Sequence, residues 1–295
     1  MELVSTVIIT YKRPLDVLAR AIRSVLAQTY ENIELTVVND SPEDVLLEKS
    51  IHDYIETLND GRIKYICHEK NMGANTARNT GLTNSHGKYI AFLDDDDEWL
   101  QNKIEKQVAA FESKQNVGLV YCGFIIRSET GDLIKKVYIP QEKKTVESLV
   151  EDNYIGSTSF PLILREAIDK LGGFDSTQKS CQEYELWLRI ASKYTIIGIN
   201  DSLGVYYVSN DSTFKGNYEK YVAGDDAIIE KHLELFKQYP IAYSNHMLHM
   251  ATYMFKQKQI KRAISYKVRA WRACWNNPQN ITVVYLINKI IQGNR

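Results

Sequence analysis

Apolar residues in the N-terminal part of the chain follow two different periods. Short runs typical of buried strands are predicted at 4–10, where most residues are β-branched, and at 33–38, 63–67, 89–93 and 118–126. Between them, apolar positions recur at helical spacing, which predicts helices at 15–26, 45–58, 74–84 and 104–111. Strands that alternate with helices in this way form βαβ units, so we predict an α/β fold with a largely parallel sheet.

The alternation becomes less regular after residue 137. A helix is predicted at 182–193 and a strand at 195–199, and almost everything from residue 218 onward has helical spacing, interrupted at Pro240 and at 276–278. We therefore predict two parts, an α/β domain at 1–215 and a helical region at 216–295.

The composition excludes several classes of protein. At 44% hydrophobic and 25% charged residues, the chain is typical of a soluble globular protein. No apolar run reaches the roughly 18 residues of a membrane span, since the best one, 281–291, is broken by Asn288 and Lys289. The N-terminus lacks the pattern of a secretory signal. The four scattered cysteines match neither a zinc site nor a disulfide framework, so we expect a cytoplasmic protein.

The net charge of −1 conceals a strong asymmetry. Residues 235–295 contain ten Lys or Arg and no Asp or Glu, which gives them a formal charge of +10. Residues 1–234 therefore carry −11. A basic end of this kind suits an anionic membrane surface or nucleic acid. No nucleic-acid motif accompanies it and the acidic body would repel a phosphate backbone, so we expect no nucleic-acid partner.

One segment of the basic end, 260–275, is amphipathic. Helical spacing aligns five apolar residues in one stripe and leaves most of the cations off it; the stripe consists of Ile260, Ile264, Val268, Trp271 and Trp275. Two interpretations are open. The stripe packs in a C-terminal bundle or a homodimer interface, or it docks on an anionic membrane as a peripheral contact.

Polar residues follow three of the predicted strands. Residues 10–13 (TYKR), 39–42 (NDSP) and 94–99 (DDDDEW) each come where a strand ends. The carboxyl ends of parallel strands meet at one edge of the sheet, where ligands bind. Tyr11 offers a ring for a base to stack on, and Asp40 can accept a hydrogen bond from a ring N–H such as that of uracil. Any one of these features alone is ordinary in a turn; their joint placement suggests a nucleotide diphosphate site.

The run of four aspartates adds a metal to this interpretation. Carboxylates massed at the end of a buried strand repel a diphosphate unless a divalent cation bridges them, and oxygen ligands favour Mg²⁺ or Mn²⁺. Residues 71–81 (NMGANTARNTG) open a helix beneath the same edge. Arg78 in its first turns either serves phosphate oxygens or pairs with an acidic neighbour.

With these residues assembled, residues 3–215 resemble an inverting family 2 glycosyltransferase. The resemblance rests on six ordered motifs: VSTVIITYKRP, IELTVVNDS, NMGANTARNTG, KYIAFLDDDDEW, LGGFD and QEYELWLR. It implies the GT-A fold, a Rossmann-like and mostly parallel central sheet flanked by helices, here followed by a C-terminal helical segment.

Residue by residue, the resemblance implies the roles of the site. Thr10, Tyr11 and Asp40 would hold the base, Asp94 would reach the ribose, and Asp96 would bind Mn²⁺ or Mg²⁺. Further donor-binding residues are Arg13, Arg78 and Asp95. The family usually shows Glu-Asp where this chain has Gln182-Glu183, so the catalytic base is Glu183, with Glu185 as a rival. Trp187 is either core or a wall of the acceptor pocket.

The function implied is metal-dependent transfer of a sugar from a nucleotide diphosphate, a UDP-sugar by expectation, to a glycan or lipid-linked acceptor in polysaccharide assembly. Two alternatives are an inactive nucleotide-sugar-binding protein and a sugar nucleotidyltransferase. The latter would carry a glycine-rich basic loop after the first strand, where TYKRP has no glycine. A dinucleotide-binding oxidoreductase is excluded because the chain has no Gly-x-Gly-x-x-Gly.

Overall fold

Residues 1–138, 145–208 and 218–280 are described by a computed structural model, and they divide into two units. The first unit comprises 1–138 and 155–208, and the second comprises 145–154 and 218–280. The domain boundary predicted near residue 215 and the apolar run at 281–291 lie outside the described residues.

The first unit contains strands and helices, and the second contains helices. The strands are β1 (Val4–Thr10), β2 (Ile33–Asn39), β3 (Ile63–Cys67), β4 (Tyr89–Asp94), β5 (Glu98–Trp99), β6 (Val117–Ser128), β7 (Leu133–Val137), β8 (Leu162–Leu164) and β9 (Thr195–Val208). The helices are α1 (Leu15–Leu26), α2 (Val45–Leu58), α3 (Ala74–Thr83), α4 (Lys103–Phe111), α5 (Val146–Glu151), α6 (Arg165–Lys170), α7 (Gln182–Ala191), α8 (Tyr218–Lys231), α9 (Leu233–Gln238), α10 (Pro240–Lys256) and α11 (Ile260–Ala273).

All nine described strands belong to one sheet in the first unit, in the order β3-β2-β1-β4-β8-β6-β9-β5, with β7 paired to β6. The pairs β1–β2, β1–β4, β2–β3 and β6–β9 are parallel, and most of the paired residues lie in these four ladders. The short strand β8 is antiparallel to both β4 and β6. The predicted α/β fold with a mostly parallel sheet is confirmed.

Successive side chains of β1 pack on opposite faces of the sheet. Val4 and Ile8 are fully buried in the core that also contains apolar residues of α1, α2 and α4. Val7 faces α3 on the other side, because successive side chains of a strand point to opposite faces. There, a Cβ on Gly81 would lie 2.2 Å from Cγ1 of Val7, so only glycine lets α3 approach β1 this closely. Helices on both faces leave the strand ends free to form a site.

Pairing with distant strands extends the first unit beyond the predicted elements. The strand predicted at 195–199 continues to Val208, where it runs beside β6 and pairs with the two-residue strand β5. Neither the extension nor β5 has a clear apolar period of its own. The long ladder with β6 supplies the hydrogen bonds that hold this irregular stretch as a strand.

The second unit is helical, as predicted for this part of the chain, and it also contains α5. Pro240 begins α10, where its fixed φ is suited to the first helical turn. Within the described residues, no helix combines the length and the hydropathy that crossing a bilayer requires.

Candidate active site

A cavity of about 510 Å³ opens where the carboxyl ends of β1, β2 and β4 meet. Every residue predicted to bind the donor or the metal lines it, namely Thr10, Tyr11, Arg13, Asp40, Arg78, Asp94, Asp95 and Asp96. A cleft of this volume accommodates a nucleotide-sized ligand. The sheet edge therefore brings these side chains together as the sequence predicted.

The loop after β1 presents a half-exposed ring to this cavity. Tyr11 is 47% exposed, and its O–H donates to Oε1 of Glu43 over 3.2 Å. The next residue, Lys12, has a φ of 53°, in the left-handed region that is uncommon for a side-chain-bearing residue. The Lys12 N–H donates to Oγ of Ser41 over 3.2 Å, which holds the loop against the loop after β2.

Asp40 organises the loop that leads into α3. Its Oδ1 accepts the N–H of Met72 over 2.8 Å and lies 2.7 Å from Nδ1 of His68. Its Oδ2 accepts the N–H of Gly73 over 2.8 Å. A carboxylate offers about four lone-pair sites, so Oδ2 keeps acceptor capacity for a ligand. The second ring nitrogen of His68, Nε2, lies 2.9 Å from the hydroxyl of Thr80, which fixes the ring.

Gly73 makes this arrangement possible. Its backbone has φ 84° and ψ 155°, a region that is essentially restricted to glycine. In this conformation its N–H points toward Asp40, and α3 starts at the next residue.

Asp94, the last residue of β4, is held by three side chains. Its Oδ1 accepts from Nη2 of Arg78 at 3.0 Å and from the hydroxyl of Thr158 at 2.9 Å, and its Oδ2 accepts from the hydroxyl of Ser157 at 2.8 Å. Burial acts to raise the pKa of Asp94, but the charge of Arg78 and these hydrogen bonds outweigh it and lower the pKa. Asp94 is therefore a fixed anion on the cavity wall.

Arg13 bridges the next two carboxylates. Its Nε donates to Oδ1 of Asp95 and its Nη2 to Oδ2 of Asp96, both over 2.8 Å. Burial raises the pKa of Asp95 to about 6 in spite of the charge of Arg13, and burial also raises the pKa of Asp96. The fourth aspartate, Asp97, is fully buried; burial and the charge of Asp94 raise its pKa well above the usual value.

The donor set fits a hard divalent cation. Only oxygen ligands are offered, and the side chain of Asp96 is 40% exposed at the cavity. The carboxylates of this cluster do not bring three ligand atoms within 4.8 Å of one another. In the residues that the structure describes, the one group that does so is exposed on α2 and consists of His52, Asp53 and Glu56. Mg²⁺ and Mn²⁺ suit an open site, where one or two carboxylates are completed by substrate phosphates and water.

The two glutamates of the first turn of α7 have different environments. Glu185 is fully buried, and its carboxylate forms hydrogen bonds of 2.7–2.9 Å with the guanidinium of Arg189. Glu183 is only half-buried, and burial raises its pKa above the usual value. The preceding residue, Gln182, accepts from Nη1 of Arg78 over 3.3 Å, so Arg78 links the start of α7 to Asp94. Glu183 does not line the cavity itself.

Trp187 belongs to the core. Its side chain is fully buried, and its Nε1 donates to the carbonyl of Gly156 over 3.2 Å. Of the two interpretations of this residue, the structure favours packing, and Gly156 lies next to Ser157, the residue that holds Asp94.

Several residues of the site received no role from the sequence. Asn71 and Gly73, in the segment predicted beneath the site, line the cavity, and so does Tyr206; His68 supports Asp40. His68 comes directly after β3, so its place at the end of a strand was a usable signal. Tyr206 lies in the part of β9 that has no clear period, and no sequence signal pointed to it.

The sequence matches known proteins over most of the first unit. Residues 5–172 match the family model for glycosyl transferase family 2. The chain is 34% identical, over 62% of its length and 68% of the relative, to the UDP-Glc:alpha-D-GlcNAc-diphosphoundecaprenol beta-1,3-glucosyltransferase WfgD of Escherichia coli. It is 29% identical, over 67% of its length and 76% of the relative, to TuaG of Bacillus subtilis, a glycosyltransferase provisionally assigned to teichuronic acid biosynthesis.

Two solved structures share the fold. TarS of Staphylococcus aureus, residues 1–349 in complex with UDP-GlcNAc, has a TM-score of 0.67 at 15% identity, with 92% of this chain and 81% of TarS covered. The mannosyltransferase PcManGT of Pyrobaculum calidifontis, in complex with GDP-Man and Mn²⁺, has a TM-score of 0.65 at 16% identity, with 98% of this chain and 80% of that protein covered. At these identities the likeness shows the fold alone, and it confirms the predicted GT-A type.

Proposed function

This chain belongs to glycosyltransferase family 2, in its polysaccharide-biosynthesis branch, and from that premise we propose that it transfers a sugar from a UDP-type donor to a hydroxyl of a glycan or lipid-linked acceptor. The transfer proposed is metal-dependent and inverts the anomeric centre. Residues 1–215 would form the catalytic domain and 216–295 a basic helical region. The convergence of Tyr11, Asp40, Arg78 and the aspartates on one cavity carries this proposal.

The nucleotide would lie along the edge of the sheet. We assign the base to the half-exposed ring of Tyr11, to Thr10 and to the free acceptor site on Oδ2 of Asp40. A ring N–H matches that acceptor, and both uracil and guanine have one. The UDP-Glc donor in the name of WfgD favours uridine. The ribose would contact Asp94. Arg13 and Arg78, each within 3.0 Å of a carboxylate, could exchange part of these contacts for phosphate oxygens.

The leaving group is a nucleoside diphosphate, and its developing charge needs neutralisation. Asp96 would hold the divalent cation, and Arg13 links the Asp96 carboxylate to that of Asp95. The chemistry that this cation supplies when bound is electrostatic stabilisation of the diphosphate oxygens. Arg78 and the backbone at the start of α3 would orient the phosphates, since helix N-termini favour anions.

Glu183 would act as the base. It removes the proton of the acceptor hydroxyl while the hydroxyl oxygen attacks the anomeric carbon and the bond to the diphosphate breaks. The raised pKa of Glu183 makes its carboxylate a better proton acceptor than an exposed one. A single displacement with one base inverts the anomeric centre. Glu185 is unavailable for this role because Arg189 holds its carboxylate.

The names of the relatives support a class of acceptor. WfgD is named for a diphosphoundecaprenol-linked sugar acceptor and TuaG for teichuronic acid synthesis. We therefore propose a lipid-linked or polymer acceptor, and we place the protein in the cytoplasm with peripheral contact at the inner face of the membrane.

Donor binding and product analysis test this function. Isothermal titration with UDP-glucose, UDP-GlcNAc and GDP-mannose, each with and without Mn²⁺, should give Mn²⁺-dependent binding of a UDP-sugar. Transfer to a synthetic diphosphoprenyl-linked sugar should then yield a product whose anomeric configuration, read by NMR, is opposite to that of the donor. Exclusive binding of GDP-mannose would overturn the uridine assignment, and retention of configuration would overturn the mechanism.

A further inference from the structure

One side of α11 is buried, and another side exposes large apolar residues. Ala263, Tyr266 and Ala270 are buried. Ile260, Ile264 and Trp271 are exposed by 49, 54 and 43%, and Trp275, two residues beyond the helix, is exposed by 74%. At 100° per residue, the three exposed helical residues fall within roughly 40° of one another and roughly 100° from the buried side. We name Ile260, Ile264, Trp271 and Trp275 the α11 surface.

The stripe predicted from the sequence is therefore not the packed side of the helix. Smaller residues and one tyrosine pack against the rest of the second unit, and the large aliphatic and indole side chains face outward. Large exposed apolar residues grouped on one side of a helix, with a further exposed tryptophan beyond its end, point to an interaction site.

Cations border the α11 surface. Lys267 lies beside Ile260 on the helical projection, and Lys261 and Arg272 lie on the other border. In the part of the chain that the structure describes, none of these three forms an ion pair. By contrast, Arg262 and Arg269, on the far side, pair with Glu219 and Asp226 at 2.6 Å. The free cations thus lie next to the apolar residues, and the neutralised ones do not.

We propose that the α11 surface docks on an anionic lipid bilayer, with the apolar side chains in the interface and the bordering cations on lipid phosphates. Indole rings favour the interface, and paired apolar and basic stripes are typical of peripheral membrane helices. The proposal deepens the proposed function, on which it rests for the lipid-linked acceptor, because it names the surface that brings the enzyme to a membrane.

Charge argues against a second copy as the occupant. A two-fold symmetric dimer through the α11 surface would place two sets of Lys261, Lys267 and Arg272 near each other. Residues 235–295 contain no Asp or Glu to offset them, and the nearby Glu219 and Asp226 already pair with Arg262 and Arg269, so the two sets of cations would repel each other. An anionic bilayer supplies the missing negative charge.

The tryptophans provide a specific readout. Of the four in the chain, Trp99 and Trp187 are buried, and Trp271 and Trp275 belong to the α11 surface. Titration of the full chain with vesicles of phosphatidylglycerol and phosphatidylcholine should shift the tryptophan fluorescence emission to shorter wavelength. Vesicles with brominated acyl chains should quench this fluorescence. Vesicles of phosphatidylcholine alone, or high salt, should weaken binding strongly.

Two variants and one matched control decide the outcome. Lys261→Gln/Lys267→Gln/Arg272→Gln should bind the anionic vesicles about a hundred-fold more weakly. Ile264→Ser/Trp271→Ser should lose the quenching. The control Lys114→Gln/Lys135→Gln/Lys136→Gln removes three exposed cations of the first unit and should bind like the wild type.

Equal binding of wild type and the first triple variant would overturn the proposal, as would a stable dimer in sedimentation velocity that Trp271→Ser dissociates. Nucleotide binding of the same variants, measured without vesicles, distinguishes a failure of the membrane proposal from a failure of the proposed function. Retained donor binding with no vesicle binding overturns only the membrane proposal, whereas loss of donor binding by the wild type overturns the proposed function.

Discussion

Arg189 holds the carboxylate of Glu185 from within the same helix. The guanidinium donates three hydrogen bonds of 2.7–2.9 Å to Oε1 and Oε2, and it also donates to the carbonyl oxygens of Leu171 and Gly173. Glu185 is therefore a structural anion that ties α7 to the loop at 171–173. This relationship supports our proposal that Glu183, two residues earlier, is the base.

The first prediction separates these two glutamates. Glu183→Gln should keep donor affinity and lose about two to four powers of ten in kcat, because it removes the general base. In the wild type, the acid limb of the pH profile should lie above 4.5, since burial raises the pKa of Glu183. Titration calorimetry and single-turnover kinetics measure the two effects.

Glu185→Gln is the matched variant. It should lower the free energy of unfolding by about 3 kcal/mol, because a buried ion pair loses one partner, and it should retain most of the turnover of the folded protein. A larger loss of kcat in Glu185→Gln than in Glu183→Gln would show that the assignment of the base is reversed.

The second prediction concerns Asp96. Asp96→Ala should abolish transfer and weaken Mn²⁺ binding at least ten-fold by calorimetry, since we propose this carboxylate, whose side chain is 40% exposed, as the ligand of the metal. The thermal midpoint should change little, because the variant removes a charge from a crowded acidic site. Unchanged activity of the variant in chelator-treated buffer would contradict the metal assignment.

Local patterns predicted the central elements closely. The bounds of α2 and β3 match the predicted ranges residue for residue, because apolar residues recur at helical spacing along α2 and alternate with Lys64 in the short run of β3. The cavity residues from β1, β2 and β4 were predictable because the carboxyl ends of parallel strands meet at one edge.

Features that depend on distant parts of the chain were not predictable. The contacts of Asp40 with His68 and Gly73 join loops about 30 residues apart. The difference between Glu183 and Glu185 depends on burial, which two acidic residues of one helical turn do not reveal. The outward direction of Trp271 depends on which side of α11 packs, and both sides carry apolar residues.

The third prediction tests the loop that Asp40 organises. Gly73→Ala should lower the free energy of unfolding by about 1–3 kcal/mol, because φ 84° and ψ 155° strain any residue with a Cβ. It should also weaken UDP binding at least ten-fold, because relaxing the strain moves the N–H from Oδ2 of Asp40.

Two other glycines serve as controls for this variant. Gly131 also has a positive φ, 90°, but does not line the cavity, so Gly131→Ala should lose stability and keep UDP affinity. Gly61 has open space around it and is not among the residues with positive φ, so Gly61→Ala should change neither. Equal UDP affinity of Gly73→Ala and Gly61→Ala would contradict the role of the loop.

The fourth prediction concerns a buried pair in the second unit. Nε2 of His246 lies 3.0 Å from Oδ1 and 3.1 Å from Oδ2 of Asp225, and its Nδ1 lies 3.2 Å from the carbonyl oxygen of Glu151. Burial lowers the pKa of His246, but the charge of Asp225 and these hydrogen bonds outweigh it and raise the pKa above 6.5.

A raised pKa in the folded state stabilises the protein fully below pH 6.5, and the stabilisation is lost as the pH rises through the folded value. The thermal midpoint of the wild type should therefore fall over that range, relative to that of His246→Gln. Exposed His52 gives the control, since His52→Gln should leave the pH dependence of the wild type intact. Parallel curves for the wild type and His246→Gln would contradict the assignment.

The last prediction uses the fully buried Lys103. Its ammonium lies 2.8 Å from Oε1 of Gln107 and 4.0 Å from the centroid of the Trp99 ring, and burial lowers its pKa to about 8. The unfolded chain keeps this lysine protonated up to about pH 10.4. Between these values the unfolded state binds more protons, so the free energy of unfolding should rise with pH.

The window from pH 8 to pH 9 isolates this effect. Burial raises the pKa of the neighbouring Cys122 from 9.0 to about 11, so its thiol opposes the trend mainly above pH 9. From pH 8 to pH 9, the free energy of unfolding of the wild type should rise by up to about 1 kcal/mol relative to that of Lys103→Met, as expected for the release of one proton. Lys114→Met removes an exposed lysine and should follow the wild type. Urea unfolding at each pH gives the slope of the free energy of unfolding against pH. If this slope is the same for Lys103→Met and the wild type, Lys103 stays protonated in the folded core. In that case the Trp99 ring and Gln107 would stabilise its charge enough to offset burial.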